Sequence, residues 1–184
     1  ALDRIKGSFP QLDSVFYLAA TYDADPVRQT DLSRIHQVLA INLGGMFNVI
    51  DRARKLMSQQ AHGQIVLTGS VAGYRGLPGG QPYSATKAAI INYAESLKIE
   101  LESENIDVRL ICPGFVKTDM TAKNGFEMPM MISAEEAARD IVKGIKRGDF
   151  EIHFPKQFTF IMKILDILPR SLYFPLMRAY VKKR

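Results

Sequence analysis

The chain has 184 residues, of which 47% are hydrophobic and 23% are charged, and its mean hydropathy of −0.05 is typical of a soluble globular protein. This length allows one sizeable hydrophobic core, so we expect a single domain. The net charge of +5 is modest and the basic residues are spread out except at the carboxyl end, which argues against nucleic-acid binding. We recognise neither a signal peptide nor an apolar run of membrane-spanning length.

The first third of the chain predicts one strand and one long helix. Residues 1–12 have the pattern of a helix end followed by a turn at Pro10. Residues 14–20 are an unbroken apolar run, which is typical of a strand covered on both faces. An Asp-Pro pair at 25–26 indicates a loop, and apolar residues then recur at helical spacing from 32 to 57.

The rest of the chain continues the alternation of strands and helices. The predicted elements are a strand at 64–69, a helix from Tyr83 to about Ser103, a strand at 107–112, a helix from Ser133 to about Gly148 and a strand at 150–154. Ser133 and Glu136 form a capping-box pattern at the start of the third helix. This order predicts a parallel sheet with helices on both faces.

The predicted sheet brings its polar and small residues to one edge. Ligands of such sheets bind beyond the carboxyl ends of the strands. Ala19 and Ala20, Ser70, and Pro113 with Gly114 all follow predicted strands. We therefore expect the functional site at this edge.

Residues 70 to 87 hold the groups that can do chemistry there. Lys87 lies four residues after Tyr83, one helical turn away on the same face. An ammonium favours the phenolate, so Lys87 is expected to lower the pKa of Tyr83 from its ordinary value of about 10. Ser70 can donate a hydrogen bond to a carbonyl oxygen. These groups suit proton exchange with an alcohol or ketone, but hydride transfer requires a nicotinamide.

These residues and their spacings resemble the short-chain dehydrogenase/reductase family. The matching features are Ser70 thirteen positions before Tyr83, the Tyr83-Ser-Ala-Thr-Lys87 motif, Asn42 in Ile-Asn-Leu-Gly-Gly, and Pro113-Gly-Phe-Val-Lys-Thr118 after a strand. The match runs from Asp13 to about Phe154. The resemblance implies a Rossmann-like three-layer α/β/α fold with a parallel sheet.

The resemblance also implies a role for each matching residue. Tyr83 would be the general acid/base, and Lys87 would lower its pKa and hold the nicotinamide ribose. Ser70 would orient the substrate carbonyl, and Asn42 would keep a proton-relay water in place. The implied cofactor contacts, to NAD or NADP, come from Ala19, Ala20, Tyr83, Lys87, Pro113, Gly114, Val116 and Thr118.

The chain departs from the family pattern in two places. The family's Asn-Asn-Ala-Gly stretch is replaced by Tyr17-Leu-Ala-Ala20, which affects local geometry more than catalysis. The family's glycine-rich phosphate loop has no counterpart after Ala1, so we expect a first β-α-β-α-β portion upstream. That portion would distinguish NAD from NADP. Without it, the strand at 14–20 would be an uncovered apolar edge prone to aggregation.

Two segments allow more than one interpretation. Met120, Phe126, Met128, Met130 and Met131 lie where the family has a substrate lid, but a loop that packs on its own domain fits equally. Residues 156–184, beyond a domain at 1–155, predict two short amphipathic helices broken by Pro169 and Pro175. This tail could lie on a membrane surface, cover the substrate pocket, or pack on a subunit, and packing is the simplest role.

We predict an NAD(P)-dependent oxidoreductase that interconverts a secondary alcohol and a ketone. If the tail binds membranes, a lipid-like 3-keto substrate becomes attractive. A catalytically silent nucleotide-binding or scaffold protein of the same fold is the alternative, and the short region after Pro113 argues against an epimerase or dehydratase. By family resemblance we expect a homodimer or homotetramer, paired through the helices at 32–57 and 83–103, in the cytoplasm or attached peripherally to a membrane.

Cysteine and histidine usage bounds the remaining chemistry. The single cysteine, Cys112, excludes an internal disulfide, fits a reducing compartment, and is predicted to be a small buried hydrophobe. His36, His62 and His153 lie in separate segments without the spacing of metal ligands, so we predict no metal site.

Overall fold

A computed structural model describes residues 11–22, 31–123 and 127–182. The predicted turn at Pro10, the loop at 25–26 and the lid residue Phe126 lie outside the described residues.

Four parallel strands form one sheet in the order β1-β2-β3-β4. The strands are β1 (Ser14–Tyr17), β2 (Gly63–Thr68), β3 (Ile106–Pro113) and β4 (Glu151–Phe154). Val15 aligns with Ile65, and Ile65 aligns with Val108, so the first three strands share one register. The predicted parallel sheet is confirmed.

The first strand is shorter and less covered than predicted. It ends at Tyr17 instead of residue 20, and Phe16 is 44% exposed, so the prediction of a strand covered on both faces was wrong. Within the described residues β1 pairs with β2 alone, which leaves its other edge without hydrogen-bond partners and Leu18 exposed.

Six α-helices surround the sheet in the described parts of the chain. They are α1 (Leu32–Leu39), α2 (Gly45–Gln60), α3 (Tyr83–Glu100), α4 (Ala134–Arg147), α5 (Lys156–Ile167) and α6 (Arg170–Lys182). A π-helical segment, Ala40–Gly44, joins α1 to α2, so the helix predicted at 32–57 is continuous but locally widened. The capping box is confirmed, because Ser133 and Glu136 exchange both hydrogen bonds at the start of α4.

The two faces of the sheet carry separate hydrophobic clusters. Ile65 and Leu67 of β2 join the cluster that contains Met46 and Ile50 of α2 and Ile90 of α3. Val66 points to the other face, because successive side chains of a strand alternate, and it joins the cluster formed by Ile111, Ala137, Ile152 and Phe154. Helices therefore cover both faces, as a three-layer fold requires.

The carboxyl-terminal segment forms two helices as predicted, but one of the predicted breaks is wrong. Pro169 lies between α5 and α6, whereas Pro175 lies inside α6. A proline in a helix leaves the carbonyl four residues earlier without its donor. Ser171 and Pro175 are both exposed, so water can satisfy that carbonyl and the helix continues. None of the described helices is long and apolar enough to cross a bilayer.

Candidate active site

The predicted sheet edge does bring Ser70, Tyr83, Lys87 and Asn42 together. Ser70 follows β2 by two residues, and Tyr83 and Lys87 occupy the first turns of α3. Asn42 approaches from the π-helical segment and contacts α3 through its side chain. The site is therefore assembled from three elements that meet at the carboxyl end of β2.

A glycine allows the turn after β2 to lie against α3. Ser70 caps a single turn of 3-10 helix, Val71–Gly73, by accepting a hydrogen bond from the Ala72 amide at 3.1 Å. A Cβ on Gly73 would lie 2.7 Å from the carbonyl carbon of Lys87, which is closer than any real contact. Only glycine permits this approach, and the approach places Ser70 beside Tyr83.

The Tyr83 phenol is held in its protonated form. Tyr83 is partly exposed as a residue, but enough protein surrounds its hydroxyl that burial raises the pKa to about 12. A hydrogen bond with Ser70 acts in the opposite direction and favours the phenolate. The ring of Tyr22 packs edge-on against Tyr83, with centroids 4.9 Å apart.

Lys87 is 2% exposed, which is unusual for a lysine. Its ammonium donates a hydrogen bond of 2.7 Å to the main-chain carbonyl of Thr68 and lies 5.4 Å from the centre of the Tyr83 ring. Burial lowers the pKa of Lys87 to about 8, so the group is charged at neutral pH. The expected lowering of the Tyr83 pKa was wrong for this structure, because the burial of the phenol dominates.

Asn42 is completely buried and its amide is fully paired. Its Nδ2 donates to the Thr21 carbonyl and to Thr86 Oγ1, both at 3.0 Å, and its Oδ1 accepts from the Thr21 amide at 2.7 Å. Thr86 in turn donates to the Tyr83 carbonyl at 2.7 Å. Asn42 therefore joins the segment after β1 to the first turn of α3.

Tyr17, which replaces an asparagine of the family pattern, makes a hydrogen bond close to Asn42. The Tyr17 hydroxyl donates to the Ile41 carbonyl at 2.8 Å, inside the π-helical segment that carries Asn42. Wide turns of this kind are frequent at functional sites. Tyr17 thus connects β1 to this segment, where the family has an asparagine that joins strands.

The segment after β3 runs beside this edge. The Gly114 amide donates to the Phe154 carbonyl at 2.7 Å, and a Cβ on Gly114 would lie 2.7 Å from Phe158 of α5. The Val116 carbonyl accepts a hydrogen bond from Thr121 Oγ1 at 2.7 Å, so one of its two acceptor positions is used within the chain. Thr118 is exposed.

The remaining predicted cofactor residues lie at the same edge. Ala19 is exposed and Ala20 is half-buried just beyond β1. Pro113 is the last residue of β3. The sites predicted by resemblance are therefore spatially compatible, while their individual roles stay predictions.

The Lys87 ammonium fits a cofactor at this position. An ammonium has three donors, and the hydrogen bond to the Thr68 carbonyl uses one of them. The hydroxyls of a ribose can accept from the other two. The residues present thus fit the nicotinamide-ribose end of a dinucleotide.

Cysteine and metal chemistry have little support at the site. Cys112 is fully buried, as predicted, and burial raises the pKa of its thiol to about 12. In residues 11–22, 31–123 and 127–182 no three histidine, cysteine or acidic side chains are grouped as metal ligands.

Sequence reasoning missed three residues that shape the site. They are Tyr22, Thr68 and Thr86. Thr86 stands inside the Tyr-Ser-Ala-Thr-Lys motif and could have been noticed there, whereas nothing in the pattern pointed to Tyr22. Tyr17 was noted as a departure from the family, but its contact with Ile41 was not predicted.

Comparison with known proteins identifies the family. Residues 1–128 match the family model described as short chain dehydrogenase. The chain is 33% identical over 173 residues to an uncharacterized oxidoreductase of Myxococcus xanthus, covering 94% of this chain and 67% of that protein. It is also 33% identical over 121 residues to the 3-oxoacyl-(acyl-carrier-protein) reductase FabG of Escherichia coli, covering 65% of this chain and 49% of that protein.

The solved structures agree on the fold. A short chain dehydrogenase from Burkholderia cenocepacia J2315, solved in complex with NADP, superposes with a TM-score of 0.81 at 21% identity, covering 95% of this chain and 72% of that one. The chain spans between about a third and a half of the length of the FabG proteins it matches. The chain belongs to the short-chain dehydrogenase family.

Proposed function

We propose that this protein is an NAD(P)-dependent oxidoreductase that interconverts a secondary alcohol and a ketone. The observation that carries the proposal is the meeting of three groups at one sheet edge: the Tyr83 phenol, the Ser70 hydroxyl that favours its phenolate, and the buried ammonium of Lys87. Relatives named as FabG reductases and as carbonyl reductase family member 4 of Xenopus laevis support this reaction class.

The protonation states favour Tyr83 as a proton donor. With a pKa of about 12, its phenol is neutral throughout the physiological range. It can therefore give a proton to the oxygen of a ketone as that oxygen becomes an alcohol. Ser70 would donate a hydrogen bond to the same oxygen and stabilise the charge that develops on it.

Lys87 supplies a fixed positive charge close to the phenol. Its ammonium lies 5.4 Å from the Tyr83 ring centre, so it stabilises any negative charge left on Tyr83 after proton transfer. A bound nicotinamide would supply the hydride, which no side chain can do. Lys87 would hold its ribose, and the segment from Pro113 to Thr118 would lie beside its ring.

We propose that Asn42 positions the catalytic helix turn and does not itself contact the substrate. Its amide hydrogens are committed to Thr21 and Thr86, so its side chain fixes the first turn of α3 and, through Thr86, the Tyr83 carbonyl. The relay-water role implied by the family would then depend on its main chain.

We propose an apolar ketone as substrate. Met130 and Met131, in the segment that follows Thr118, are 45% and 38% exposed. Methionine adapts its shape to varied apolar partners, so these side chains suit a flexible hydrocarbon substrate. The sequence allowed this segment to be a substrate lid or a loop that packs on its own domain, and the structure tests neither role.

We also propose a homo-oligomer paired through α2 and α3. Phe47 of α2 is 45% exposed and packs edge-on against Tyr93 of α3, with ring centroids 4.9 Å apart. Ile99, near the end of α3, is 77% exposed. Analytical ultracentrifugation of the intact protein and of Phe47→Glu tests this: the parent should be a dimer or tetramer, and the variant should dissociate.

The first experiment is a titration of NADPH and NADH fluorescence with the intact protein. Saturable binding would support the oxidoreductase, and its absence would favour the silent scaffold. NADP is tested first because two structurally similar proteins, from Burkholderia cenocepacia and Sphingobium yanoikuyae, were solved with NADP and NADPH. Reduction of alkyl 3-keto esters of increasing chain length, followed by loss of reduced-nicotinamide absorbance, then tests the substrate class.

A further inference from the structure

The tail, residues 156–184, holds the positive charge of the whole protein. It contains seven lysines and arginines and one acidic residue, Asp166, for a net charge of +6. The complete chain has a net charge of +5, so residues 1–155 together carry −1. A charge asymmetry of this kind indicates a partner with negative charge.

The inner side of the tail is docked on the body of the protein. Thr159 and Met162 of α5 are buried, and Lys163 forms a salt bridge with Glu151 of β4. Thr159 also hydrogen-bonds to the buried His153 at 2.6 Å. These contacts fix one face of α5 against the edge of the sheet.

Arg75 fastens the end of α5 and the start of α6. Its guanidinium donates to the carbonyls of Leu165 and Leu168, at 2.8 and 2.6 Å, where the helix leaves carbonyls without partners. The same guanidinium stacks on the Tyr173 ring at 4.0 Å, and the Tyr173 hydroxyl donates to the Gly76 carbonyl at 2.5 Å. These contacts fix the orientation of α5 and α6 on the body of the protein, and the side of the tail that faces away from the body is its outer side.

The outer side is apolar. Phe160, Ile164 and Ile167 stand at helical spacing on the side of α5 opposite Thr159 and Met162, and Ile167 is 79% exposed. Tyr173 is the one buried residue of α6. The large apolar side chains that remain exposed away from these contacts, which we call the outer face, are Phe160, Ile161, Ile164, Ile167, Leu172, Phe174 and Val181. Leu176 and Tyr180 are also exposed, but they lie on the same side of α6 as Tyr173.

We propose that the outer face binds the surface of an anionic lipid membrane. An amphipathic pair of helices with exposed phenylalanine and isoleucine and several basic residues has the composition of an interfacial anchor. The basic side chains would meet lipid phosphates while the apolar side chains enter the headgroup boundary. A second copy of the chain is a poorer partner, because a symmetric contact would set the basic side chains of one tail against those of the other.

Membrane binding would place the active site at the lipid surface. Arg75 and Gly76, which hold the tail, belong to the segment that joins Gly73 to Tyr83. Together with the proposed function, on which this step rests, the placement favours a lipid-like 3-keto substrate that reaches Tyr83 from the membrane. The lipid binding itself does not depend on activity and is tested separately.

The test is co-sedimentation of the intact protein with vesicles. We expect binding to vesicles of equal parts phosphatidylcholine and phosphatidylglycerol, weaker binding to pure phosphatidylcholine, and a decrease with added salt. Ile164→Glu and Phe174→Glu should each reduce the bound fraction by about tenfold, because each places a negative charge in the outer face. Val142→Glu, at a position 52% exposed on α4, is the matched control and should bind like the parent.

Several results would overturn the proposal. These are no sedimentation with anionic vesicles, unchanged binding by Ile164→Glu, or an equal loss in the Val142→Glu control. A dimer that dissociates on Ile164→Glu, without any vesicle binding by the parent, would assign the outer face to a second copy instead. Circular dichroism of each variant confirms that the helices are retained.

Discussion

The active edge and the tail differ in how far their side chains are buried. At the active edge Asn42 and Lys87 are buried and hydrogen-bonded within the chain. In α6 Tyr173 is the one buried residue, and most other side chains face solvent. Substitutions at the edge should therefore change chemistry or folding, whereas substitutions on the outer face should change association and leave the fold intact.

The largest effect should come from Tyr83→Phe, which removes the proton donor and keeps the ring. We expect the rate of ketone reduction to fall by about a thousandfold, while the free energy of unfolding changes by about 1 kcal/mol or less. Steady-state kinetics and urea unfolding measure the two quantities. Tyr93→Phe on the same helix is the control, and retention of more than a tenth of the rate by Tyr83→Phe would refute the assigned role.

Gly73→Ala should disturb folding and chemistry together. The new methyl group would overlap the Lys87 backbone, so the turn carrying Ser70 must move. We expect a loss of about 2 to 3 kcal/mol in unfolding free energy and a lower kcat. Gly76→Ala, where a Cβ meets nothing within 4 Å, should be nearly neutral by urea unfolding. Equal effects of the two substitutions would contradict the close approach at Gly73.

Arg75→Ala should release the tail from the body. The substitution removes hydrogen bonds to two carbonyls and the contact with Tyr173, which together should contribute about 2 kcal/mol. Limited proteolysis should then cut near Pro169 faster than in the parent. Arg178→Ala, an exposed arginine on α6, should leave the cleavage rate unchanged, and equal cleavage of both variants would argue against this anchor.

The smallest effect concerns the charge of Lys87. Its pKa is about 8 in the folded protein and 10.5 ordinarily, so between these values the unfolded chain binds more protons and stability rises with pH. Between pH 7 and pH 9 the parent should gain about 1 kcal/mol relative to Lys87→Met. Urea unfolding at both pH values measures the difference, and a parent that loses stability relative to Lys87→Met would contradict the lowered pKa.

Much of the fold could be predicted because its signals are local. Strand-length apolar runs, helical spacing and the capping box at Ser133 each act over a few residues, and the four strands, the long helices and the capping box they predict are present. The strand at 14–20 was predicted too long, since an apolar run does not reveal whether a neighbouring strand covers it. Only the structure shows that β1 ends at Tyr17.

The sequence predicted where the candidate site residues lie on the fold, but not their electrostatics. Tyr83 and Lys87 do lie one turn apart on α3, yet the pKa of Tyr83 depends on how much protein surrounds the phenol. The contacts of Arg75 with Leu165 and Leu168 join residues about ninety positions apart. No periodicity in the sequence encodes a contact of that range.

The contact between Gly114 and Phe158 bears on protein engineering. Because a Cβ at Gly114 would lie 2.7 Å from the Phe158 ring, a larger residue there would force that ring to move, and Arg75 donates hydrogen bonds at the other end of α5. A chimera that moves residues 156–184 onto another family member should therefore have glycine and arginine at the two equivalent positions. The tail and these two residues are best transferred together.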